Sequence, residues 1–282
     1  MTKKIAVIND LSGFGRCSLT AAISVISAMG VQPCPLPTAI LSAQTGYPSY
    51  YLDDYTDKME YFRTEWEKMG QHFDGIYTGF VSSEKQIHQI FRFLETFRTP
   101  DTFLLVDPVM GDDGIKYDMF TPDLLAQMKR LAKEADIITP NLTELCLLTD
   151  TDFHTLSSCD DTDKLLHTIH TLALSFCENG PHHVIVTGIR CTDREGICQV
   201  GNLYVSQDTN YLCSFPFIGG SYSGTGDLFA SCLAAGIADG RKITDIIETA
   251  GKFLERAITD SVENHVPRND GTNYEKYLSM LM

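Results

Sequence analysis

The chain has 282 residues, 43% of them hydrophobic, and its 37 acidic against 22 basic side chains leave a net charge of -15. That balance excludes a basic nucleic-acid surface or a dock on anionic membrane, and no apolar run reaches the roughly 18–20 residues that span a bilayer. The nine cysteines are scattered, odd in number and without a CxxC pair, which favours reduced thiols over a disulfide framework or a zinc site.

The opening MTKKIAVIND runs straight into a strand pattern with no apolar h-region, so a cytoplasmic protein is expected. No linker, charge block or repeat divides the chain, and residues 1–282 are expected to form one domain. The strand at 4–8 leads through a glycine turn to a helix over 19–29. Gly75–Thr78 leads to a helix over Glu84–Phe97, where Ile87, Ile90, Phe91 and Leu94 follow the spacing of a buried face. Phe103–Val106 is an unbroken apolar run ending in Asp107-Pro108. The helix predicted over Pro122–Glu134 has Thr121 as its cap and Pro122 in its first turn. Residues 136–139 and 184–187 repeat the form of a buried strand ending in a polar residue. Alternating runs over 197–217 predict an antiparallel hairpin or sheet extension. Helices over Thr225–Ala238, 243–259 and 274–281 complete the chain.

Such alternation predicts an α/β fold with a mainly parallel sheet and helices on both faces. Ligands of open α/β sheets bind beyond the carboxyl ends of the strands. Asp10, Asp107, Thr139 with Asn141, and Thr187 stand at those ends and should line one rim.

Three segments carry chemistry. Gly224-Thr225-Gly226-Asp227 opens a helix of small residues, and a helix N-terminus offers unpaired N–H groups to an anion. Asp227 there is either a cap or a base that takes a proton from a hydroxyl, and the tetrapeptide alone leaves both open. Asp107 heads a glycine-rich acidic loop that suits a magnesium–phosphate complex, whereas Asp112-Asp113-Gly114 reads as an ordinary turn. Asn141 and Glu144 share a face at a helix start, as a capping box, as partners of a hydrated metal, or as both. Elsewhere, Gly13-Phe14-Gly15 lacks the last glycine of a dinucleotide loop. His167 and His170 read as a solvated helix surface, and Asp160, Asp161 and Asp163 as a charged helix start.

Taken together, Asp107-Pro-Val-Met-Gly-Asp, Thr139-Pro-Asn-Leu-Thr-Glu and Gly224-Thr-Gly-Asp227 resemble the ribokinase-like superfamily in order and spacing. Within it the chain is similar to the pyridoxal/pyridoxine/pyridoxamine kinases, relatives of the hydroxymethylpyrimidine kinases. The resemblance covers residues 5–233. It implies a three-layer α/β/α fold and ATP-dependent phosphorylation of the 5′-hydroxymethyl group of a B6 vitamer. A hydroxymethylpyrimidine kinase and a non-catalytic nucleotide-binding regulator are the alternatives. By resemblance, Asp227 is the catalytic base and Gly224, Thr225 and Gly226 supply the anion hole. Asp107, Asn141, Glu144 and Thr187 match the ATP side, with Asp107 and Glu144 toward Mg2+ and a monovalent cation such as K+ also implied. Asp10, Thr45-Gly46-Tyr47 and Phe80, together with Asp227, match the vitamer site. Phe80 stands where the family has tyrosine, which removes a hydroxyl and keeps an aromatic face. The resemblance also implies a homodimer.

Overall fold

The computed structural model describes residues 2–282, which divide into two compact units. The chain up to Asp107 together with Ile218–Met282 forms one unit, and Pro108–Phe217 the other.

The first unit starts with β1 (Lys4–Ser12), α1 (Ser18–Ala28), β2 (Gln32–Leu41), β3 (Leu52–Asp54), α2 (Thr56–Lys68), β4 (Gly75–Thr78), α3 (Glu84–Phe97) and β5 (Phe103–Val106). Its strands lie in the order β5-β4-β1-β2-β3, all parallel except β3. Burial of Ile5, Ala6, Val7 and Ile8 together marks β1 as covered on both faces, as parallel strands are. The step from β1 to β2 runs one way across the sheet and the step from β4 to β5 the other. Right-handed crossovers therefore place α1 and α3 on opposite faces. The crevice at the carboxyl ends of β1 and β4 is the switch point, where such sheets take their ligands.

Strand β2 went unread in the sequence because Pro33, Pro35 and Pro37 argue against a strand interior. The Gln32 N–H points to β1, donating to the Lys3 carbonyl, so the three alternate prolines turn their missing donors to the opposite edge. β3 pairs there only with Ala39, Ile40 and Leu41, and no ladder bond is lost.

The second unit holds β6 (Gly111–Asp112), β7 (Ile115–Lys116), α4 (Pro122–Glu134), β8 (Ile137–Ile138), α5 (Leu142–Thr149), α6 (Phe153–Ser157), α7 (Thr162–Cys177), β9 (His183–Thr192), β10 (Cys198–Val205) and β11 (Asn210–Pro216). β8 and β9 are parallel, and β9, β10 and β11 continue as the antiparallel extension that the alternating runs predict. Thr121 caps α4, its hydroxyl accepting from the Leu124 N–H at 3.1 Å. Asp161 caps α7, which is the charged helix start anticipated for the acidic cluster. Asp112, Asp113 and Gly114 make the tight β6–β7 turn.

The first unit resumes with α8 (Thr225–Ala238), α9 (Ile243–Glu263) and two 3-10 turns, Arg268–Asp270 and Glu275–Met280. As its small residues suggest, α8 is a buried helix. A Cβ at Gly236 would lie 2.6 Å from Ile246 of α9, so only glycine permits that approach. Among the described residues no helix is long and apolar enough to cross a membrane.

Candidate active site

The site is built where β1 ends. The ladder with β2 shifts register just beyond Asn9, where Asn9 faces Pro37 and Leu11 faces Ile40, so the extra residue lies in β2. Asn9 and Asp10 are both buried, as expected of neighbours on a strand covered on both faces. The Asn9 side-chain oxygen Oδ1 accepts from the Asp10 N–H at 2.9 Å and from the Phe80 N–H, just past β4, at 2.8 Å. Its Nδ2 donates to Asp227 Oδ1 at 3.0 Å. One amide thus joins the ends of two strands to the first turn of α8.

Asp227 does not cap its own helix. The N-cap of α8 is Gly224, at φ 83°, and no side chain satisfies the first-turn amides. The Asp227 carboxylate instead accepts from Asn9 and from the backbone N–H of Ser18, itself in the left-handed region at φ 52°. A non-glycine residue held there costs about 1–3 kcal/mol, a strain found mostly at functional sites. Although Asp227 retains some exposure, protein surrounds the carboxylate closely. Burial pushes its pKa up to about 6, with Asp10 adding to the rise and the Ser18 and Asn9 bonds opposing it.

The neighbouring groups stay protonated or hydrogen-bonded. Burial also raises the pKa of Asp10, against hydrogen bonds from the Ser18 and Ser12 hydroxyls, the latter at 2.8 Å. The Cys17 thiol is pushed up to about 12 by burial and then by Asp227 and Asp10, so it is no nucleophile. Tyr77 is wholly buried, its phenol raised well above its usual range by burial and then by Asp227, Asp107 and Asp10 in turn. All three carboxyl groups thus favour the neutral form of the phenol.

The glycines of the α8 turn have separate tasks. A Cβ on Gly224 would sit 2.0 Å from the Arg16 carbonyl oxygen, so this glycine is required for the turn to pack. A Cβ on Gly226 would meet only Asp107 Oδ2, at 3.9 Å. The space over Gly226 is open, beside first-turn amides without a side-chain cap and a buried hard-oxygen donor. This combination fits a phosphate with Mg2+, an ion that keeps several waters and needs only one or two carboxylates. No group of three or more His, Cys, Asp or Glu able to hold a metal occurs among the described residues, and His167 and His170 lie on the surface of α7.

Residues 45–47 are fastened to the Arg268–Asp270 turn. The Tyr47 hydroxyl donates to Asp270 at 2.5 Å, Asn269 Nδ2 to the Gly46 carbonyl at 2.6 Å, and Gln44 Nε2 to the Asn269 carbonyl at 3.2 Å. Phe14 packs on Tyr47 with ring centres 5.6 Å apart, and Thr45 is exposed. In the second unit Asn141 and Glu144 form the anticipated capping box around the start of α5. Glu144 Oε2 accepts from the Asn141 N–H at 2.8 Å and Oε1 from the Met110 N–H at 3.0 Å. Thr187 bridges to Asn141, its N–H donating to the Pro140 carbonyl at 2.9 Å.

Sequence reasoning missed Asn9, Ser18, Cys17 and Tyr77. An Asn-Asp pair closing an apolar strand was the available signal for Asn9. Nothing local marks Ser18, whose role arises from the fold around it.

The family model described as phosphomethylpyrimidine kinase matches residues 15–270. A candidate phosphomethylpyrimidine kinase of Bacteroides thetaiotaomicron, crystallised with pyridoxal, is 36% identical at a TM-score of 0.89, covering 100% of this chain and 96% of that one. A pyridoxine/pyridoxal/pyridoxamine kinase of Bordetella avium is 26% identical over 272 residues, 91% of this chain and 86% of its own length. A candidate pyridoxal kinase of Schizosaccharomyces pombe is 31% identical over 167 residues, 58% of this chain and only 46% of its own. The chain belongs to the phosphomethylpyrimidine kinase family, ribokinase-like in fold, with pyridoxal kinases among its relatives.

Proposed function

We propose that this chain transfers the γ-phosphoryl group of ATP to the 5′-hydroxymethyl group of a B6 vitamer, pyridoxal, pyridoxine or pyridoxamine. The observation that carries the reading is Asp227: a carboxylate beside uncapped helix amides, released from any capping duty and raised to about 6. A base with that affinity is charged at neutral pH and still takes a proton effectively. The pyridoxal in crystals of the Bacteroides relative supports the vitamer over other hydroxymethyl compounds.

In this mechanism Asp227 removes the hydroxyl proton as the oxygen attacks the γ-phosphorus, and the bond from that phosphorus to the β,γ-bridging oxygen breaks, with ADP as the leaving group. The N–H groups of Gly224, Thr225 and Gly226 take up charge on the transferred group, a term that gains from exclusion of water. Mg2+ bound with ATP would neutralise charge on the phosphates, and Asp107 is the residue suited to hold it, with Glu144 acting through water. Asn141 and Thr187 are assigned to the nucleotide side by resemblance. Asp10 accepts a donor on the rim of the ring, Phe80 offers an apolar face, and residues 45–47 close on the vitamer. A homodimer and a K+ requirement belong to the same proposal.

The test is product formation by the purified chain with MgATP, comparing the three vitamers, hydroxymethylpyrimidine and ribose, each with and without K+. Phosphorylated vitamer supports the reading. Product from the pyrimidine alone would make the chain a hydroxymethylpyrimidine kinase, as its family description allows. No product with any acceptor, despite ATP binding, would identify a nucleotide-binding regulator.

A further inference from the structure

Asn9 is wholly buried, yet it is a polar side chain rather than a core filler. Its oxygen is saturated by two backbone amides, from Asp10 at 2.9 Å and Phe80 at 2.8 Å. An amide whose oxygen is so engaged has its orientation settled by its neighbours, and Nδ2 must face Asp227 Oδ1, 3.0 Å away. The ring of contacts leaves no slack: a Cβ on Gly79 would come within 2.5 Å of Asn9 Nδ2 and 2.6 Å of its Cγ. The amide thus packs closely against Gly79, with its oxygen held by two backbone N–H groups and its nitrogen on the carboxylate.

We propose that Asn9 is the positioning residue of this enzyme: it fixes the plane of the Asp227 carboxylate, and so the direction in which its basic lone pairs point, relative to the Phe80 backbone. This rests on the reading of Asp227 as the base. A neutral donor is the group required here. Asp10 of β1 already acts on Asp227, and Asp227 acts in turn on the Cys17 thiol and, with Asp107 and Asp10, on the Tyr77 phenol. A cation in place of Asn9 would bind the carboxylate too tightly to leave it basic, and an anion would add a fourth carboxyl group. Because the same amide holds the Phe80 N–H, base and proposed ring wall share one anchor, and their separation is set by a single side chain. Asn9 touches neither substrate nor reacting atoms; it acts through Asp227.

The experiment measures kcat and KM for vitamer and ATP in Asn9→Ala, Asn9→Asp, Asp227→Asn and the double variant Asn9→Ala/Asp227→Asn, each with a melting curve. Asn9→Asp keeps the size of the side chain and an oxygen for the two amides, which guards against simple misfolding. A carboxylate displaced by about 1 Å costs on the order of 10²-fold, so both Asn9 variants should lose about 10–10² in kcat with KM changed less than about threefold. If Asn9 acts through the base, Asn9→Ala should cost nothing further once Asp227 is Asn. The same fold-loss in both backgrounds, or a rise in KM at unchanged kcat, would overturn the role of Asn9 alone. Near-normal turnover of Asp227→Asn by itself would remove the base, and the proposal with it.

Discussion

Helices α8 and α9 pack side by side, and each carries an aspartate that the protein surrounds, with opposite consequences. Asp260 of α9 accepts from Asn273 Nδ2 at 2.9 Å, Asn264 Nδ2 at 3.1 Å and the Tyr277 hydroxyl at 2.9 Å, and it pairs with Lys276. Those hydrogen bonds, led by the one from Lys276, draw its pKa down to about 2. Asp227 of α8 has two neutral donors, a second carboxyl group nearby and no cation, and it rises to about 6. The difference is one of satisfaction. A carboxylate whose lone pairs are filled is a fastener, here holding the C-terminal segment on α9. One left short of partners in a crowded setting retains the basicity that proton transfer needs.

Removing the two carboxylates should separate these roles most sharply. Asp227→Asn should lower kcat by roughly 10²–10⁴, the range for a lost general base, while ATP binding and the melting temperature stay near wild type. Near-normal turnover would make the two aspartates alike after all.

The two glycines beside Asp227 extend the contrast within one turn. Gly226→Val should fold, since its new side chain enters open space, and should raise the KM for ATP about tenfold or more by occupying the phosphate position. Gly224→Ala should instead lose about 1–3 kcal/mol of stability, because its Cβ drives into the Arg16 carbonyl in a left-handed conformation. Urea melts of both, with ATP kinetics on the folded protein, distinguish the two effects. Equal destabilisation would show that Gly226 too serves the fold.

Acid titration provides a finer separation. Turnover needs Asp227 charged, so kcat/KM should fall about tenfold per pH unit below about 6. Stability runs the other way for this group: its raised folded pKa contributes stability that is fully present below the unfolded value near 3.8 and lost as pH rises through about 6. Asp260, depressed to about 2, contributes stability present above 3.8 and lost as pH falls through about 2. The smallest effect on catalysis is therefore expected from Asp260→Asn: kcat within about twofold of wild type, a lower melting temperature at neutral pH, and a weaker loss of stability on acidification. A large fall in kcat would mean that the C-terminal fastening reaches the site.

Much of this was legible along the chain, because helices and buried strands announce themselves over distances of three to ten residues. The periodic face of Glu84–Phe97, the Thr121 cap, the Asn141–Glu144 box and the Gly224–Asp227 turn are all short-range patterns, and each forms where its sequence places it, except that Phe93 and Phe97 rather than the half-buried Phe91 complete the helix face. The acidic composition already required any phosphate site to use local amides and metal rather than a basic surface. What tertiary structure decided was convergence. Asn9 and Asp227 stand 218 residues apart, and the approach of α8 to the end of β1 at the switch point brings them to 3.0 Å. The choice between cap and base for Asp227 depended on whether its oxygens turned to its own helix or away from it, which no local pattern encodes. The proline-rich β2 was hidden for the same reason: whether a missing N–H costs a ladder bond depends on which neighbour it faces, and only the assembled sheet settles that.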